Sequence, residues 1–510
     1  MSLYQSNDVD LLLNNWDSIL ADVEKQKLIL FEPTLDEMKE VHNIILNFIK
    51  TMKRKIYGGI ALNMLVNDKD SKDAFYKPTK IPDIDFYSPE PIIDLMKLCN
   101  ILHKKGYKYV AGREAMHQET YSIYVNYMLY CDISYVPRNI YNKMPYKEID
   151  GYILIHPHFM TIDYLRMMTD PLISYWRFES NLKSFKRFFL LQKHYPLPSN
   201  NSPIDISESI PALDSALKIV FDFMINKKTI IVIGFYAYDY FLNESKIIEK
   251  KNNKFKILPI PYFEFISTNF RDDSLNLIDL LKSDIILNKE LKHTEFYPFF
   301  QFTGHSVEIY LGNDLIVRIY NHNKKCIPYQ DVPAINFTDG KKDEIKKSII
   351  RIGTFPYVLL YSLISSIRGK VNNDEDTKSL YYTMTSHLTE MRNYYLSSNK
   401  KTYLDNTVFK EFIVNCIGET IQPERQKRLL IENRKKKNKR YNFTYEPDNG
   451  IRDPESIYIF ANSSGNAINN PKNLKLANIM KEDDDDDDDD EINTQKSDKS
   501  DKKIDSNKSI

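Results

Sequence analysis

Three short segments of the chain occur twice, in the same order. Residues 57–67 (YGGIALNMLVN) resemble 233–243 (IGFYAYDYFLN), 81–88 (IPDIDFYS) resemble 260–267 (IPYFEFIS), and 123–135 (IYVNYMLYCDISY) resemble 309–320 (IYLGNDLIVRIY) with one deletion. The first segment is typical of a turn that enters a helix, and the other two alternate apolar and polar residues as strands do. The order predicts an α+β chain in which one unit is built twice. A coincidence of short β-patterns is the alternative.

The chain begins with a helical pattern. Residues 8–30 carry apolar side chains at helical spacing, and a second helix is predicted from Thr34, because Thr34 and Glu37 fit the capping box. The segment 194–203 (HYPLPSNNSP) indicates a domain boundary. We therefore predict four parts: a helical N-terminal region at 1–50, a first α/β domain at 51–195, a second one at 205–475, and an acidic disordered tail at 476–510.

Charge is unevenly distributed along the chain. From residue 482 to the end there are 13 acidic and 5 basic residues by count, so the rest of the chain has a net charge of about +8, which suits a nucleic-acid partner. The longest apolar run, 354–367, is too short to span a bilayer, and the N-terminus is acidic where a signal peptide is basic. We expect a soluble intracellular protein without a membrane partner.

The four cysteines are far apart in the sequence, and none forms a CxxC pair. This spacing predicts neither a disulfide nor a thiolate zinc site, and it favours a reducing compartment. His156 and His158 are expected in a loop rather than in a zinc site, because no other ligands cluster near them.

Two aspartates one residue apart, Asp83 and Asp85, lie in an otherwise apolar strand pattern. Side chains at i and i+2 of a strand share a face. Asp132 lies alone in a predicted hairpin at 119–136, and on a neighbouring strand it would lie within roughly 5 Å. Each motif alone also fits a solvated strand, since 70 acidic residues in 510 give many chance pairs. Together the three carboxylates predict a site for Mg²⁺ or Mn²⁺, which prefer oxygen ligands.

Gly58 and Gly59 form the single Gly-Gly pair in a chain with 14 glycines. They lie between a predicted short strand and a predicted helix at 60–66. Such a unit lets backbone N–H groups approach a phosphate at the helix N-terminus, where the dipole favours negative charge. An ordinary turn is the alternative. With the carboxylates, the pair predicts phosphoryl transfer in which two ions about 4 Å apart hold the reacting phosphate.

These motifs resemble the nucleotidyltransferases of the DNA polymerase β superfamily, which carry strand–Gly-Gly–helix, then D-x-D on a strand, then a third aspartate. One departure is the long gap between Gly59 and Asp83, where 67–80 is interpreted as an inserted loop. YGGIALN, IPDIDFYS, YCDISYV and residues 170–196 are more closely similar to the poly(A) polymerase catalytic subunits of poxviruses and giant DNA viruses of the mimivirus type. The resemblance is specific over about residues 50–200 and weaker beyond.

The resemblance implies a polymerase-β-like nucleotidyltransferase domain with a helical N-terminal region and a C-terminal degenerate copy. It implies a template-independent poly(A) polymerase that adds AMP from ATP to the 3′-OH of viral mRNA by a two-metal mechanism. Asp83 and Asp85 would bind both metals, Asp132 would bind the metal that activates the primer hydroxyl, and Gly58 and Gly59 would face the triphosphate. Adenine specificity comes from the resemblance alone. An RNA uridylyltransferase, a CCA-adding enzyme and a non-catalytic RNA-binding or scaffold subunit are therefore the alternatives.

The implied partners are ATP and an RNA 3′ end. A homodimer or a separate processivity subunit would keep the enzyme bound to the growing poly(A) tail. The implied location is the cytoplasm, in the viral factory of the host cell, with packaging in the virion as a second location.

Two basic segments are candidates for binding phosphate. Arg177, Lys183 and Lys186 are assigned to nucleotide binding and Arg187 to RNA binding. The alternative is that they form the solvent-exposed face of a helix. Residues 425–440 hold nine basic residues in sixteen by count, among them Lys435, Lys436 and Lys437, which are assigned to RNA. A solvated charge run is the alternative there.

The second copy lacks the chemistry of the first. In the alignment Gly58 matches Gly234, Gly59 becomes Phe235, Asp83 becomes Tyr262, Asp85 becomes Glu264 and Asp132 becomes Arg318. One carboxylate does not hold two divalent ions, and we expect Arg318 to pair with Glu264. Phe235 is expected to remove the flexible turn. This half is predicted to keep the fold without catalysis.

Overall fold

The computed structural model describes most of the 510-residue chain. It covers residues 3–30, 33–76, 81–117, 119–169, 178–197, 199–200, 202–206, 211–250, 254–323, 325–338, 341–413, 415–418, 423–437 and 443–452. Arg177 and the predicted acidic tail lie outside the described residues.

The N-terminal region forms the two predicted helices, α1 (Ser6–Leu30) and α2 (Leu35–Thr51). The predicted cap is confirmed, because the Thr34 hydroxyl accepts a hydrogen bond from the Glu37 N–H at 3.3 Å. The apolar stripe of α2 is buried, whereas the apolar side chains of residues 9–23 of α1, including Leu11 and Trp16, are exposed. The helix α2 therefore packs as part of the core, and this part of α1 does not.

The first α/β unit has seven strands, and five helices connect or cover them within the described residues. The strands are β1 (Lys55–Tyr57), β2 (Ile84–Ser88), β3 (Ala111–Glu114), β4 (Thr120–Val125), β5 (Met128–Tyr135), β6 (Tyr146–Ile149) and β7 (Tyr152–Ile155), and the helices are α3 (Gly58–Lys69), α4 (Pro91–Lys104), α5 (Arg138–Lys143), α6 (Pro157–Thr169) and α7 (Phe178–His194). These strands lie in the order β3-β4-β5-β2-β1-β7-β6.

Among the described residues, the second unit has a sheet of eight strands, in which β15 (Cys416–Ile417) lies at the edge beside seven others. The seven are β8 (Ile230–Ile233), β9 (Phe263–Ser267), β10 (Leu291–Phe296), β11 (Ser306–Leu311), β12 (Asp314–Asn321), β13 (Ile327–Thr338) and β14 (Lys341–Gly353), accompanied by α8 (Pro211–Met224), α9 (Gly234–Ser245), α10 (Phe270–Ser283), α11 (Ile285–Asn288), α12 (Phe355–Asn372) and α13 (Glu375–Ser398). These strands lie in the order β10-β11-β12-β9-β8-β14-β13.

The two strand orders correspond one to one, so the predicted internal repeat is a repeat of topology. The helix between the first two strands, α3 or α9, occupies the same place in each unit. The helices after the last strand, α6 and α12, also correspond, and they pack against each other. Phe159 of α6 contacts Phe302 of the second unit at 5.0 Å between ring centroids. The two copies are therefore joined through equivalent helices and an apolar contact.

The C-terminal part of the chain returns to the first unit. After α14 (Pro423–Lys436), a hairpin of β16 (Thr444–Glu446) and β17 (Gly450–Arg452) adds to the first sheet through pairing of β16 with β3. The helix is attached at the same place, where Lys427 donates to the Glu114 carbonyl at 3.2 Å. The predicted second domain thus contributes two strands to the first sheet, and the residue boundaries of the domains remain a prediction.

One cysteine pair contradicts the prediction from spacing. Cys326 and Cys416 form a disulfide across 90 residues, with their Cα atoms 5.4 Å apart. They meet because β15 (Cys416–Ile417) pairs with β13. Cys99 and Cys131 are buried free thiols. The prediction of no disulfide is wrong, because strand pairing and not sequence spacing brings the two thiols together.

The histidine pair also differs from its predicted loop. His156 precedes α6 and its Nδ1 accepts from the His158 N–H at 3.1 Å, so the pair begins a helix. Among the described helices, none is long and apolar enough to cross a membrane.

Candidate active site

The three predicted carboxylates lie on two adjacent parallel strands. The register of β2 and β5 places Asp85 directly opposite Asp132. The sequence predicts that Asp83 lies within the strand. The strand β2 instead begins at Ile84, so Asp83 lies one residue before it. Ile84 and Phe86 are fully buried, whereas Asp83 is exposed and Asp85 is half-buried. The carboxyl groups thus line the edge where β2 begins, and apolar neighbours anchor the strand.

Burial and mutual repulsion act on these carboxyl groups together. Burial, and then the charges of Asp83 and Asp132, raise the pKa of Asp85 well above its usual range, while Arg187 opposes them. Burial also raises the pKa of Asp132, against a hydrogen bond from Ser122 and with a contribution from Asp83. Carboxyl groups that disfavour one another's ionisation become stable anions when a cation binds among them.

The donor set fits a hard divalent ion, since all three side chains offer oxygen. Among the described residues, no group of three or more histidine, cysteine, aspartate or glutamate side chains is placed to hold a metal ion. A magnesium site that also uses waters and substrate phosphates as ligands is open by nature. The assignment of Asp83, Asp85 and Asp132 as metal ligands remains a prediction.

Ser122 is a site residue that sequence reasoning missed. β4 pairs with β5 so that Ser122 faces Asp132, and the buried Ser122 hydroxyl donates to Asp132 Oδ1 at 2.5 Å. The bond fixes the orientation of that carboxylate. A lone serine in a strand carries no signal in the sequence, and only the strand register identifies it.

Gly58 is in direct contact with the carboxylate site. It has a left-handed backbone with φ +71°, and a Cβ atom there would overlap the Asp85 carboxylate. α3 begins at this glycine, so the free N–H groups of its first turn lie beside the aspartates. The positive end of the helix dipole therefore lies next to the carboxylates, where an anionic phosphate bridged by a cation is stabilised.

Arg187 lies at the glycine turn, beside Gly59. Its Nη1 lies 3.0 Å from where a Cβ of Gly59 would be, and its Nη2 donates to the Tyr76 hydroxyl at 2.9 Å. The guanidinium also lies over the Phe75 ring, 4.7 Å from its centroid. Arg187 therefore lies beside the start of α3, and its assignment to RNA stays a prediction.

The inserted loop is folded against the site. Asn63 Oδ1 accepts hydrogen bonds from the N–H groups of Phe75 and Tyr76, at 2.8 and 3.1 Å. Asp73 bonds to Lys193 and His194 on α7, at 2.5 and 2.6 Å. These contacts place the Tyr76 hydroxyl against Gly59. Asn63 thus holds the loop, and Tyr76 is a second residue that sequence reasoning missed.

The other predicted basic residues that the structure describes lie on exposed helix surfaces. Lys183 and Lys186 are exposed on α7, about one turn or less before Arg187. Lys435, Lys436 and Lys437 are exposed at the end of α14. On the same helix Arg434 pairs with Glu114 at 3.1 Å, beside β3. Their assignments to nucleotide and RNA stay predictions.

The second sheet repeats this geometry with different chemistry. β9 and β12 pair in parallel with Glu264 opposite Arg318, as Asp85 lies opposite Asp132. Gly234 has φ +65°, and a Cβ there would overlap the Glu264 carboxylate. Arg318 bonds to Glu264 at 2.9 Å and to Glu308 at 2.6 Å. The predicted correspondence and the predicted ion pair are confirmed, so a fixed cation lies where the third aspartate lies in the first copy.

The expectation that Phe235 removes the turn is wrong. Gly234 alone keeps the left-handed backbone, because the position of Gly58 and not that of Gly59 requires it. Phe235 is fully buried and packs against Tyr262 at 5.3 Å between ring centroids. In the first copy, Tyr76 and Arg187 lie against the equivalent residue, Gly59.

Comparison with known proteins shows the family to which the chain belongs. The family model "Poly(A) polymerase catalytic subunit" matches residues 43–174, and the model "APMV, Putative poly(A) polymerase, catalytic subunit, C-terminal" matches residues 190–478. The "Putative poly(A) polymerase catalytic subunit" of Acanthamoeba polyphaga mimivirus is 35% identical over 497 residues, 92% of this chain and 84% of that protein. The chain belongs to the poly(A) polymerase catalytic subunit family.

Two further relatives differ in how much of the chain they share. The "Putative poly(A) polymerase catalytic subunit" of African swine fever virus (strain Badajoz 1971 Vero-adapted) is 30% identical over 182 residues, 35% of this chain and 38% of that protein. The crystal structure of the Megavirus polyadenylate synthase aligns with a TM-score of 0.78 and 33% identity, over 93% of this chain and 94% of that one. This poly(A) polymerase catalytic subunit is therefore a polynucleotide adenylyltransferase.

Of the two family models that match this poly(A) polymerase, the first ends after α6 and the second begins within α7. The first contains the glycine pair and all three aspartates, and the second contains Glu264 and Arg318. Arg187 lies between the two matched ranges.

Proposed function

We propose that this poly(A) polymerase adds AMP from ATP to the 3′-OH of viral mRNA, with Asp83, Asp85 and Asp132 holding two divalent ions, Mg²⁺ or Mn²⁺. The observation that carries the proposal is the alignment of Asp85 with Asp132 on adjacent strands, with the start of α3 beside them. This arrangement brings an anionic edge and a phosphate-binding helix terminus together. Viral mRNA as the acceptor, the viral factory or virion as the location, and a homodimer or processivity subunit follow from the resemblance alone.

The bonds that change are few. The primer 3′-oxygen bonds to the α-phosphorus of ATP, the bond from that phosphorus to the bridging oxygen of the β-phosphate breaks, and pyrophosphate leaves. The N–H groups at the start of α3 and the Arg187 guanidinium bind the triphosphate. Ser122 holds Asp132 in one orientation, and the Asp132 carboxylate takes up the hydroxyl proton.

When bound, the divalent ions supply positive charge against the phosphates and lower the pKa of the attacking hydroxyl. What this chain supplies is position: two rigid strands fix the carboxylates, and the Gly58 turn lets the backbone approach them. Catalysis of phosphoryl transfer is largely positioning and charge stabilisation, which is what these elements provide.

The test is extension of a 5′-labelled RNA primer by the purified chain, with each of the four nucleoside triphosphates supplied separately. We expect long products with ATP in the presence of Mg²⁺ or Mn²⁺. Asp83→Asn should lower turnover by about 100-fold or more, as loss of a charge-stabilising group at a reaction centre does. The control is Tyr262→Phe, at the equivalent position of the second copy, which should keep wild-type turnover.

Two results would contradict the proposal. Equal extension with UTP or CTP would overturn adenylyl specificity, and wild-type turnover of the Asp83→Asn protein would overturn the site. Titration of Mn²⁺ into both variants by calorimetry gives a second measurement that does not depend on activity. Tyr262→Phe should bind Mn²⁺ as the wild type does, and Asp83→Asn should bind it more weakly.

A further inference from the structure

We propose that Tyr109 and Tyr127 form a stacking platform for the bases of single-stranded RNA, upstream of the primer 3′ end. The inference rests on the proposed function, because it extends the path of the RNA away from the carboxylates. It identifies a surface of the first sheet that has no part in the chemistry itself.

The two tyrosines form an exposed aromatic pair. Their side chains are 60% and 71% exposed, yet the rings stack on each other with centroids 4.6 Å apart and planes at 29°. Stacked rings open to solvent leave faces that a base can cover. Buried tyrosines are abundant in this chain, so a pair held at the surface calls for its own explanation.

The backbone that presents Tyr127 is unfavourable for a tyrosine. Val125 pairs with Met128, so Asn126 and Tyr127 form a two-residue hairpin turn, and their φ angles are +49° and +65°. Such turns strongly favour Asn-Gly, because both central residues need a left-handed backbone. Tyr127 therefore occupies the position that a glycine would fill at lower cost.

Tyr109 shows the same conflict, with φ +51°. A bulky side chain with positive φ is uncommon, and retained strain of this kind marks positions where the side chain serves a purpose other than folding. Two tyrosines with positive φ thus stack on each other, although they lie 18 positions apart in the sequence.

The platform lies beyond the strand ends at which the carboxylates lie. β5 runs from the turn to Asp132, and Met128 is four residues before it by count, about 13 Å along the strand. The parallel strand β2 begins opposite Cys131, so the start of β5 projects past β2. An RNA strand with its 3′ end at Asp132 can extend along this projecting hairpin.

The charge around the platform suits a nucleic-acid backbone. Lys104, Lys105 and Lys108 are exposed, and the Lys108 carbonyl accepts from the Asn126 N–H at 3.0 Å, which ties the lysine segment to the hairpin turn. Aromatic rings among basic side chains bind single strands without reading their sequence, since every base has a face on which to stack. A homopolymer product needs no more than this.

The decisive variant is Tyr127→Gly in the full chain, because folding and binding should respond in opposite ways. Glycine suits the turn, so thermal unfolding should occur at the same temperature as in the wild type or higher. Binding of fluorescent 15-mer oligo(A), measured by anisotropy, should weaken by about 5- to 150-fold, the usual range for loss of one stacked base. The primer KM should rise to match, while kcat at saturating primer and the ATP KM stay unchanged.

Three variants complete the test. Tyr127→Phe should bind as the wild type does, since the ring remains. Tyr109→Asn should weaken binding as Tyr127→Gly does, because asparagine tolerates the left-handed backbone but offers no ring. Tyr297→Ala removes a tyrosine that is 70% exposed in the second unit and should have no effect. Unchanged oligo(A) binding by Tyr127→Gly or Tyr109→Asn overturns the platform. A wild-type chain that binds oligo(A) through these tyrosines yet extends no primer would overturn the proposed function instead.

Discussion

Gly58 meets two constraints that a side chain would violate together: a left-handed backbone, and contact with the Asp85 carboxylate. Gly234 meets the same two constraints against Glu264 in the second copy. We predict that Gly58→Ala lowers kcat by about 100-fold or more, because the methyl group displaces a charge-stabilising carboxylate. Gly234→Ala should keep kcat and lose about 1 kcal/mol or more of unfolding free energy, since alanine at positive φ is strained.

Primer extension and chemical denaturation of both variants measure the two effects. The result that contradicts the prediction is equal loss of kcat in both, which would mean that the second copy takes part in the reaction.

Tyr76 and Arg187 should have opposite effects on ATP binding. Arg187→Gln removes a charged partner of the triphosphate, so we expect the ATP KM to rise by about tenfold or more. Tyr76→Phe removes a hydroxyl that occupies Arg187 and lies against Gly59, so the ATP KM should fall several-fold. Steady-state kinetics at saturating primer measure both. A rise in KM for both variants would show that Tyr76 supports Arg187 and does not compete with ATP for it.

The sequence is informative about residues whose signal is local. The three aspartates and the glycine turn were predicted because strand alternation and a single Gly-Gly pair are short-range patterns. The positions of Ser122, Tyr76 and Arg187 beside the site depend on contacts between segments far apart in the chain. Strand register and loop packing bring these side chains to the site, and no short sequence pattern predicts either.

At the scale of elements, the second sheet is held by a buried charge network. Arg318 lies between Glu264 and Glu308, and Arg368 also pairs with Glu308 at 3.0 Å. Arg318 and the Tyr310 hydroxyl outweigh burial and hold the pKa of Glu308 below its usual range. Three neighbouring strands, β11, β12 and β9, are thereby connected through one guanidinium.

Arg318→Met should destabilise the chain by about 3–5 kcal/mol, because it leaves buried carboxylates without their main partner. Lys378→Met is the control, since its partner Glu375 is exposed and such pairs contribute less than about 1 kcal/mol. Urea unfolding measures both free energies. At urea concentrations below the unfolding transition, the Arg318→Met protein should keep wild-type turnover. If this protein is fully folded but inactive while the wild type is active, the assignment of the second unit as non-catalytic is contradicted.

The helices and strands that the sequence predicts correctly are those whose signal lies within one short segment. The capped helix α2, strand β2 and the hairpin β4–β5 follow from their own sequence, and the repeat follows because all the corresponding strands keep their order. β13 and β15 pair across the 90 residues between Cys326 and Cys416, so the disulfide had no local signal. β16 and β17 were missed for the same reason, since they belong to a sheet formed hundreds of residues earlier.

At the scale of the molecule, the chain closes on itself through its C-terminal hairpin. Phe443, Tyr445 and Ile451 are buried in the core, and the Tyr445 hydroxyl donates to Asn100 Oδ1 at 2.7 Å on α4. Pairing of β16 also covers the edge of β3, which would otherwise expose unpaired backbone groups. The second unit and the catalytic sheet are therefore expected to unfold together.

Truncation after Lys437 tests this coupling. It removes three buried apolar side chains, which should cost roughly 5 kcal/mol, and it opens a sheet edge that favours aggregation. We expect a lower unfolding temperature by calorimetry, self-association by light scattering and lost primer extension. Truncation after Lys475, which removes only the acidic tail, is the control and should leave unfolding and turnover unchanged. If both truncated chains unfold as the full chain does, the hairpin is not part of the cooperative unit, and the two copies of the fold are stable without it.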